Sequence, residues 1–310
     1  MRVLLLGGAG FIGAHLISEL LARGEHDIYV LEPASAPTNR IDGFPVHLFR
    51  GDIADTGSVH RILAENHIDT VIHLVSRLIP GSDLADFQRE YDEVVSPTIR
   101  LMTLCAEEQI RFAFFSSGGT VYGDRKGSHA PFTEDDAMEP ISYYGWSKQL
   151  LENSIYFLHR TLNLPYVVFR PSNAYGPGQN LQGKQGFIAV ALGKILKGER
   201  VTVWGDGSAV RDYIYIDDLV RAVCDVLENA SNVNLTLNVG SGRGHSINEI
   251  IGLLKQVTAK DFEVEYLASR NVDVSSIVLN IEALKERIAF SPIGVREGID
   301  RFYRFLSHGE

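Results

Sequence analysis

Cysteine is scarce in this chain of 310 residues, and runs of Lys or Arg are missing. The two cysteines, Cys105 and Cys224, stand in apolar stretches outside any CxxC motif or Cys/His cluster. The sequence therefore predicts buried free thiols rather than a disulfide framework or a zinc site. Free thiols suit a reducing compartment, and we expect a cytoplasmic protein that holds no metal.

The chain also lacks a basic face and a long hydrophobic segment. Its net charge is −10, with 29 basic against 39 acidic residues. Because nucleic acid and anionic membranes bind basic surfaces, we expect neither as a partner. The apolar part of the opening "MRVLLLGGAGFIG" is too short for the core of a signal peptide. No stretch approaches the roughly 18 apolar residues of a membrane span.

What is present is an alternation of short apolar runs and amphipathic segments, which is typical of strands joined by crossover helices. We predict strands over 2–7, 27–32, 46–52, 69–75, 112–117, 165–171 and 235–242, and helices over 13–23, 57–66, 86–108 and 143–161. Runs such as "VLLL" are apolar on both faces, as in strands covered on both sides. The pattern predicts an α/β fold: a doubly wound parallel sheet of the Rossmann type with a smaller mixed α/β C-terminal lobe.

A glycine trio, Gly7-x-x-Gly10-x-x-Gly13, follows the first strand and opens the first helix. In this position the glycines allow a tight turn, a close approach of pyrophosphate to the backbone, and close packing of helix on strand. The free amides of the helix N-terminus favour an anion. The alternative is a purely structural turn. We interpret the trio as a dinucleotide site.

The second strand ends at Glu32, 19 residues after Gly13. An acidic residue at this place binds the ribose hydroxyls of NAD and repels the 2′-phosphate of NADP, so we expect NAD. Two nearby residues complicate the choice between NAD and NADP: Arg40, which is basic, and Pro33, which directly follows Glu32 and gives an uncommon loop. After the third strand, Asp52 has two interpretations of equal weight, an acceptor for the adenine amino group or a helix cap.

The segment "YYGWSK" places Tyr144 and Lys148 four residues apart, on one face of the helix predicted over 143–161. An ammonium beside a phenol favours the phenolate and lowers its pKa from about 10, which suits a general base near neutral pH. The spacing alone is a weak signal. Its weight comes from the order of the glycine turn, then "SS" at a strand end, then this pair.

With these motifs in place, the chain resembles the extended short-chain dehydrogenases/reductases of the NAD-dependent epimerase/dehydratase family. The likeness runs along nearly the whole chain and rests on "GGAGFIG", "GDI", "SSGGTVYG", "YYGWSK", "RPSNAYGPG", "WGDGSAVRDYIYIDDL", "LNVGSG" and "RNVD". Among the functions of the family, it implies an isomerase that interconverts UDP-hexoses at C4 (UDP-glucose and UDP-galactose, or their N-acetyl forms) through a 4-keto sugar. It also implies a UDP-sugar as the partner of the protein.

The resemblance assigns roles to particular residues. Tyr144 is the expected catalytic base, Lys148 its partner on the nicotinamide ribose, and Ser117 a further catalytic hydroxyl. The expected contacts with NAD are Gly7, Gly10, Phe11, Ile12, Gly13, Glu32, Asp52, Ile53, Ser116, Tyr144 and Lys148. The expected contacts with the nucleotide-sugar are Asn173, Arg211, Arg270 and Asp273. For Arg211 the alternative is an ion pair with Asp217 or Asp218, and for Arg270 it is an exposed surface position.

The sequence departs from the family pattern beside the predicted catalytic site. Epimerases carry Ser or Thr three residues before the Val of "VYG", where this chain has Gly118. The sugar-binding hydroxyl must then come from Ser117 or, as the second choice, Thr120. Dehydratases carry an Asp-Glu pair where this chain has Gly119 and Thr120, which argues against elimination. At Ile277, glucose-specific relatives carry Tyr, so we expect room for an N-acetyl group.

By the same resemblance, residues 1–171 form the NAD-binding domain, with 211–240 returning to it. Residues 172–210 and 241–310 form the nucleotide-sugar lobe. A homodimer is expected, through helices at about 86–108 and 143–161. The apolar residues along the second of these helices either form that interface or face the protein's own core: Leu150, Leu151, Ile155 and Leu158. Rival functions are another nucleotide-sugar oxidoreductase at the same site (dehydrogenase, reductase or decarboxylase) and a non-catalytic NAD-binding protein.

Overall fold

The structure is a computed structural model, and it describes residues 1–24, 26–125, 130–183, 185–269 and 274–308. Thirteen strands are found in these ranges: β1 (Arg2–Leu6), β2 (Asp27–Glu32), β3 (His47–Arg50), β4 (Thr70–His73), β5 (Arg111–Phe115), β6 (Tyr166–Pro171), β7 (Asn173–Tyr175), β8 (Val201–Trp204), β9 (Val210–Tyr215), β10 (Leu235–Val239), β11 (Gly244–Ser246), β12 (Val264–Leu267) and β13 (Ser276–Ile277).

The helices that accompany these strands are α1 (Phe11–Arg23), α2 (Thr56–Glu65), α3 (Leu84–Glu90), α4 (Ser96–Glu107), α5 (Tyr143–Leu162), α6 (Phe187–Lys197), α7 (Ile216–Glu228), α8 (Ile247–Thr258), α9 (Glu282–Lys285) and α10 (Val295–His308). A short 3₁₀ helix covers Asn39–Ile41. None of the helices in the described ranges is both long and apolar enough to cross a membrane.

Seven strands form one parallel sheet in the order β10-β6-β5-β4-β1-β2-β3, which confirms the predicted doubly wound α/β fold of the Rossmann type. Helices α1 and α7 cover one face and α2, α4 and α5 the other. Because both faces are covered, strands such as β5 are almost entirely apolar and buried. Cys105 and Cys224 are buried free thiols, as predicted.

A smaller lobe is built from β7, β9, β11 and β13, which share one sheet, and from the pair β8–β12. Helices α6, α8 and α10 pack around this lobe. Residues 211–240 were predicted to belong to the NAD-binding domain, but only the part from α7 onward packs with the large sheet. Strand β9 pairs within the small lobe, whereas α7 packs on α1 and β10 pairs with β6. The division into two functional domains stays a prediction.

The helix predicted over 86–108 is interrupted, and this prediction was wrong in its middle. A π turn, Tyr91–Val95, separates α3 from α4. Pro97 lies in the first turn of α4. Proline has no N–H to donate to the carbonyl four residues earlier, so an uninterrupted α-helix loses a hydrogen bond there. The wider π turn accommodates this break.

Candidate functional site

The glycine turn lies at the carboxyl edge of the large sheet, between β1 and α1. Gly7 has φ +80°, a conformation that favours glycine. Gly10 is the residue before α1, and no described side chain caps the helix. A Cβ on Gly13 would lie 2.5 Å from the Gly8 carbonyl oxygen and 2.7 Å from that of Gly7. Only glycine fits here, and the helix begins with amides directed to a ligand.

Phe11 and Ile12 occupy the first two positions of α1 and are half-buried. Their amides are therefore among those that the helix itself leaves without a partner. Backbone groups at this end of the site, rather than side chains, provide its polarity. A diphosphate is the chemical group that such an arrangement favours.

Glu32 ends β2 and is 5% exposed. Its carboxylate accepts a hydrogen bond of 2.7 Å from the Ala9 amide, inside the glycine turn. Burial raises the pKa of Glu32, while that hydrogen bond and the charge of Arg50 oppose the rise. Arg50 also donates to the carbonyl oxygens of Pro33 and Ala36 and so fixes the loop after β2.

Asp52 does not cap a helix, so that interpretation of the sequence was wrong. Its Oδ1 accepts from the Ala54 amide at 2.9 Å, within the turn before α2. The cap of α2 is Asp55, which accepts from the Ser58 amide at 3.1 Å. The adenine contact of Asp52 stays a prediction, as does the contact of its buried neighbour Ile53 with NAD.

Tyr144 and Lys148 lie in the first two turns of α5. The helix begins at this point because the Ser142 side chain accepts from the Gly145 amide at 3.1 Å. Lys148 is buried, and its Nζ donates to the Phe115 carbonyl oxygen at 2.9 Å. The same Nζ lies 5.7 Å from the centroid of the Tyr144 ring. The structure thus brings the predicted acid–base pair together at the end of β5.

Burial raises the pKa of the Tyr144 phenol above its usual value, and the charge of Glu90 raises it further, whereas the Ser117 hydroxyl lowers it. We expected the neighbouring ammonium to lower the pKa of Tyr144, but in this structure that pKa is raised, because burial has the largest effect. Burial also lowers the pKa of Lys148 to about 8, against the opposing influence of Glu90 and Glu152.

The glycine at the position of the family's hydroxyl has a packing reason. A Cβ on Gly118 would lie 2.6 Å from Cδ1 of Leu279 and 2.9 Å from the carbonyl oxygen of Arg170. The Gly118 amide is also held, by a 2.9 Å hydrogen bond to Pro171. A serine at this position would displace backbone or the buried Leu279, so the hydroxyl must stand elsewhere.

Of the two candidates for that hydroxyl, Ser117 is the one that acts on Tyr144, because hydrogen bonding by the Ser117 side chain lowers the pKa of the Tyr144 phenol. The Thr120 Oγ1 is buried and has no hydrogen-bond partner among the described residues. The Ser116 Oγ is likewise buried without a described partner, beside the end of β5.

Asn173, which begins β7, lies across from Ser117. A Cβ built on Gly119 would be 3.9 Å from Ser117 Oγ and 3.9 Å from both polar atoms of the Asn173 side chain. The Asn173 Nδ2 donates to the Asp212 carbonyl oxygen at 2.9 Å. The small residue Gly119 therefore leaves open space between two side chains that the sequence assigned to the sugar.

Arg211 is half-buried on β9, and its Nη1 donates to the Val210 carbonyl oxygen at 2.8 Å. Its neighbour Asp212 is fully buried and accepts from the amides of Ser241 and Gly242, which tie the two lobes together. The other two predicted substrate contacts, Arg270 and Asp273, lie outside the described residues.

Ile277 pairs with Arg211 across β13 and β9, but its side chain is buried in an apolar cluster with Leu279. The room for an N-acetyl group that we expected from its size stays a prediction.

Two buried carboxylates near Lys148 were missed by the sequence analysis. Glu152, one turn after Lys148, forms an ion pair with the buried Arg170 at 2.7 Å. Glu90, the last residue of α3, accepts from the Ser76 hydroxyl and the Arg77 amide, both at 3.0 Å. Each lies on the apolar face of its helix, beside residues such as Phe87 and Ile155. That position in the sequence pattern could have indicated that both carboxylates are buried.

The described residues include no group of His, Cys, Asp and Glu side chains that could hold a metal ion. What they form is a backbone-lined anion site at one end and a phenol, an ammonium and hydroxyls at the other. Such a set can bind a dinucleotide and move a proton to or from an alcohol oxygen.

Comparison with known proteins agrees with this chemistry. The sequence model of the NAD dependent epimerase/dehydratase family matches residues 3–240. A putative UDP-glucose 4-epimerase of Methanocaldococcus jannaschii is 28% identical and aligns over 99% of this chain and 98% of its own length. A dTDP-4-dehydro-6-deoxyglucose reductase of Escherichia coli is 31% identical, over 98% and 97%.

Solved structures show the same similarity. The UDP-glucose 4-epimerase of Thermotoga maritima, crystallised with UDP-glucose, superimposes with a TM-score of 0.91 at 30% identity, covering 99% of this chain and 98% of that one. The UDP-glucose 4-epimerase of Thermus thermophilus, in complex with NAD, gives a TM-score of 0.90 at 29% identity over the whole of both chains.

Proposed function

Because this chain belongs to the NAD-dependent epimerase/dehydratase family, we propose that it is a nucleotide-sugar 4-epimerase that interconverts UDP-hexoses. The observation that carries the proposal is the arrangement of the buried Lys148 with the half-buried Tyr144 and Ser117 at the end of β5, in a chain similar over its whole length to UDP-glucose 4-epimerases.

NAD is the cofactor of the protein. The residues fit it: the first amides of α1, which no described side chain caps, suit a diphosphate, Glu32 ends β2 beside the glycine turn, and the buried Ser116 hydroxyl has no described partner. Lys148 would hold the nicotinamide ribose. The chemistry that NAD⁺ supplies when bound is reversible acceptance of hydride, together with a positive charge.

In the proposed reaction, Tyr144 accepts the proton of the sugar's 4-hydroxyl as a 4-keto sugar forms, and later returns it. The Ser117 hydroxyl has one proton to donate, so it donates a hydrogen bond either to the same sugar oxygen or to the phenolate, at different stages of the reaction. Lys148 stabilises the phenolate because an opposite charge favours the ionised form. The raised pKa of the Tyr144 phenol keeps it protonated, and therefore inactive as a base, until the charges of the bound complex are in place.

Epimerisation also requires the keto sugar to turn over while its nucleotide stays bound. Arg211 is proposed to hold the diphosphate, since a guanidinium binds phosphate through two donors. Asn173 is proposed to contact the diphosphate or the sugar across the space above Gly119. Arg270 and Asp273 remain candidates for the rest of the nucleotide. A held nucleotide keeps the sugar near the cofactor in both orientations.

A dehydratase is disfavoured within the family. Loss of water needs a general acid near the sugar's 6-position, and the relevant positions are Gly119 and Thr120, which carry no acid. A reductase is the second candidate, because the Escherichia coli relative at 31% identity is named as one. It would use the same pair of residues in one direction and consume reduced cofactor.

The test is proton NMR of the purified protein, without added cofactor, incubated separately with UDP-glucose and with UDP-N-acetylglucosamine. New anomeric signals of the galacto isomer from either sugar support 4-epimerisation by bound NAD. Steady oxidation of added NADH by a 4-keto nucleotide-sugar, without isomerisation of either UDP-sugar, would replace the proposal with the reductase.

We further propose a homodimer. Leu151, Ile155 and Leu158 face the protein's own core, so the core interpretation holds for those three. The outer side of α5 instead exposes Trp146 and Phe157, which is 56% exposed. Tyr91 in the adjoining π turn and Leu84 at the start of α3 are exposed as well. A contiguous apolar face on paired helices fits a second copy of the same surface.

Sedimentation of the wild type and of Phe157→Glu tests the dimer. A buried charge at a two-fold interface is introduced twice, so the variant is expected to sediment as a monomer. Phe305→Glu, at an exposed Phe on α10, is the matched control and should leave the association unchanged. A wild-type protein that is monomeric at all concentrations would contradict the proposal.

A further inference from the structure

Glu90 is a charged residue in an interior position. It is 1% exposed at the end of α3, directly before the π turn. One carboxylate oxygen accepts from the Ser76 hydroxyl and the other from the Arg77 amide, both at 3.0 Å. Both donors are neutral, so these contacts stabilise the carboxylate without cancelling its charge.

The donors belong to the segment after β4, which borders the cofactor site. A Cβ on Gly7 would lie 3.3 Å from Cγ2 of Val75, the residue before Ser76. Glu90 thus fixes backbone next to the glycine turn. On the other side, α3 packs against α5, where the Phe87 ring stacks on Trp146 with centroids 4.4 Å apart.

The other charged groups around the acid–base pair are already paired or neutral. Glu152 on α5 is bound to Arg170 of β6. The Arg77 guanidinium pairs with Glu93 of the π turn. His73 of β4 is fully buried, and burial with the nearby Lys148 charge lowers its pKa to about 3, so it is neutral. Two carboxylates of the described residues act on Lys148, Glu90 and Glu152. Glu152 has a guanidinium partner, whereas the hydroxyl and the amide that donate to Glu90 are both neutral.

We propose that Glu90 is a positioning residue for the proposed reaction, whose negative charge sets the protonation of Tyr144 and Lys148 while its oxygens hold the segment after β4. A negative charge opposes formation of the Tyr144 phenolate and favours the Lys148 ammonium. Glu90 accordingly raises the pKa of Tyr144 and opposes the fall in the pKa of Lys148. The inference rests on the proposed function for its role in turnover, but the electrostatic effect stands independently.

The first experiment is the pH profile of turnover in Glu90→Gln. The amide carbonyl keeps one acceptor, whereas the charge is lost. Because both pKa values fall when the negative charge is removed, the whole bell-shaped profile is expected to move to lower pH. Glu93→Gln, on the exposed next turn, is the matched control and should leave the profile in place. A Glu90→Gln profile that is lower in height but unmoved would overturn the inference.

The second experiment does not depend on turnover. Protein with bound NAD and with ¹³Cζ-labelled tyrosine is titrated by NMR, and the Tyr144 resonance is identified by its loss in Tyr144→Phe. We expect the titration midpoint of Tyr144 to decrease in the order wild type, Glu90→Asp, Glu90→Gln. The shorter Asp side chain moves the negative charge away from Tyr144, and Gln removes it. Glu90→Asp also gives a result if Glu90→Gln does not fold. Coincident midpoints would overturn the inference, even if the substrate proves to be another nucleotide-sugar.

Discussion

The two ends of the cofactor site are built on different principles. At the glycine turn, between β1 and α1, shape decides: Gly13 leaves no space for a Cβ, and the polar groups are backbone amides. At the start of α5, ionisable groups determine the properties of the site: Lys148 and Glu90 are buried, and Tyr144 is half-buried beside them. A single methyl group should therefore damage the first end, whereas changes of proton or charge should damage the second.

The largest effect is expected at the second end, in Tyr144→Phe. This change removes the proposed proton acceptor and keeps the ring, so turnover should fall by about a thousandfold. NAD retention should not change, because Lys148 and the glycine turn are untouched. Isomer formation by NMR and the NAD content of the purified protein give the two readouts.

The adjacent Tyr143 provides the control for this prediction. Its ring packs on Phe87 and Trp146, away from Lys148. Tyr143→Phe should keep both turnover and NAD. If Tyr144→Phe turned over at the wild-type rate, Tyr144 could not be the base, and the charge-based description of this end would fail.

At the first end, the sharpest change is Gly13→Ala. The added Cβ meets two carbonyl oxygens at 2.5 and 2.7 Å, so α1 must move away from the turn. Overpacking of this kind costs about 1 to 3 kcal/mol, which corresponds to about 5- to 150-fold in NAD affinity. Calorimetric titration with NAD and thermal unfolding measure the loss.

Gly252 on α8 is the matched position, since nothing lies within 4 Å of a Cβ built there. Gly252→Ala should stabilise the fold by about 0.5 to 1 kcal/mol, as Gly to Ala does in a helix. Equal effects of the two substitutions on NAD binding would show that the steric account of the turn is mistaken.

A smaller effect separates the two hydroxyls of "SSGGTVYG". Ser117→Ala removes the hydrogen bond that we propose to a charged oxygen in the transition state, which should slow turnover by about 10- to 100-fold. Thr120→Val should leave the rate near that of the wild type, because its hydroxyl has no described partner. The reverse order would transfer the role to Thr120.

Restoring the hydroxyl at the family's usual position is not expected to help. Gly118→Ser in the Ser117→Ala background places a Cβ 2.6 Å from Leu279 Cδ1 and 2.9 Å from a backbone oxygen. The double variant should therefore be less stable in thermal unfolding and no faster than Ser117→Ala. A recovered rate would mean that Leu279 moves aside.

The sequence predicted the first end better than the second, and the reason is physical. Gly7 and Gly13 are required by local geometry, so their spacing between a strand and a helix identifies the turn. The i, i+4 spacing likewise placed Tyr144 and Lys148 together. The sign of the shift in the Tyr144 pKa was not predicted, because it depends on burial and on Glu90, which is distant in sequence.

Other errors have the same origin in tertiary packing. The cap of α2 is Asp55 rather than Asp52. The two aspartates are three residues apart, and the sequence pattern alone does not show which of them caps the helix. The π turn before α4 depends on how the helix accommodates Pro97 while it stays packed on the sheet. Gly118 is explained by its contact with Leu279, which is 161 residues away in the sequence, so no local motif contains it.

Glu32 is an exception to this comparison. It is a buried ionisable side chain at the glycine turn, where the other polar groups are backbone amides. Burial raises its pKa above the usual 4.5, which means that the folded state favours the protonated form. The contribution of Glu32 to stability is therefore most favourable below pH 4.5 and is lost as pH rises through the raised value. Burial therefore disfavours the charged form of Glu32 in the apoprotein, and the proposed role of that charge is to accept hydrogen bonds from the ribose of NAD.

Glu32→Gln tests this balance and carries the smallest expected effect. The amide oxygen can still accept from Ala9, so apoprotein stability at pH 7 should be equal to that of the wild type or higher in thermal unfolding. NAD affinity should fall by about five- to tenfold, since a neutral acceptor forms weaker hydrogen bonds. NADP should lose less, because the charge that repels its 2′-phosphate is gone, and the ratio of the two affinities by calorimetry is the decisive measurement. An unchanged ratio would mean that Glu32 holds the glycine turn alone, and that shape, not charge, governs that whole end of the site.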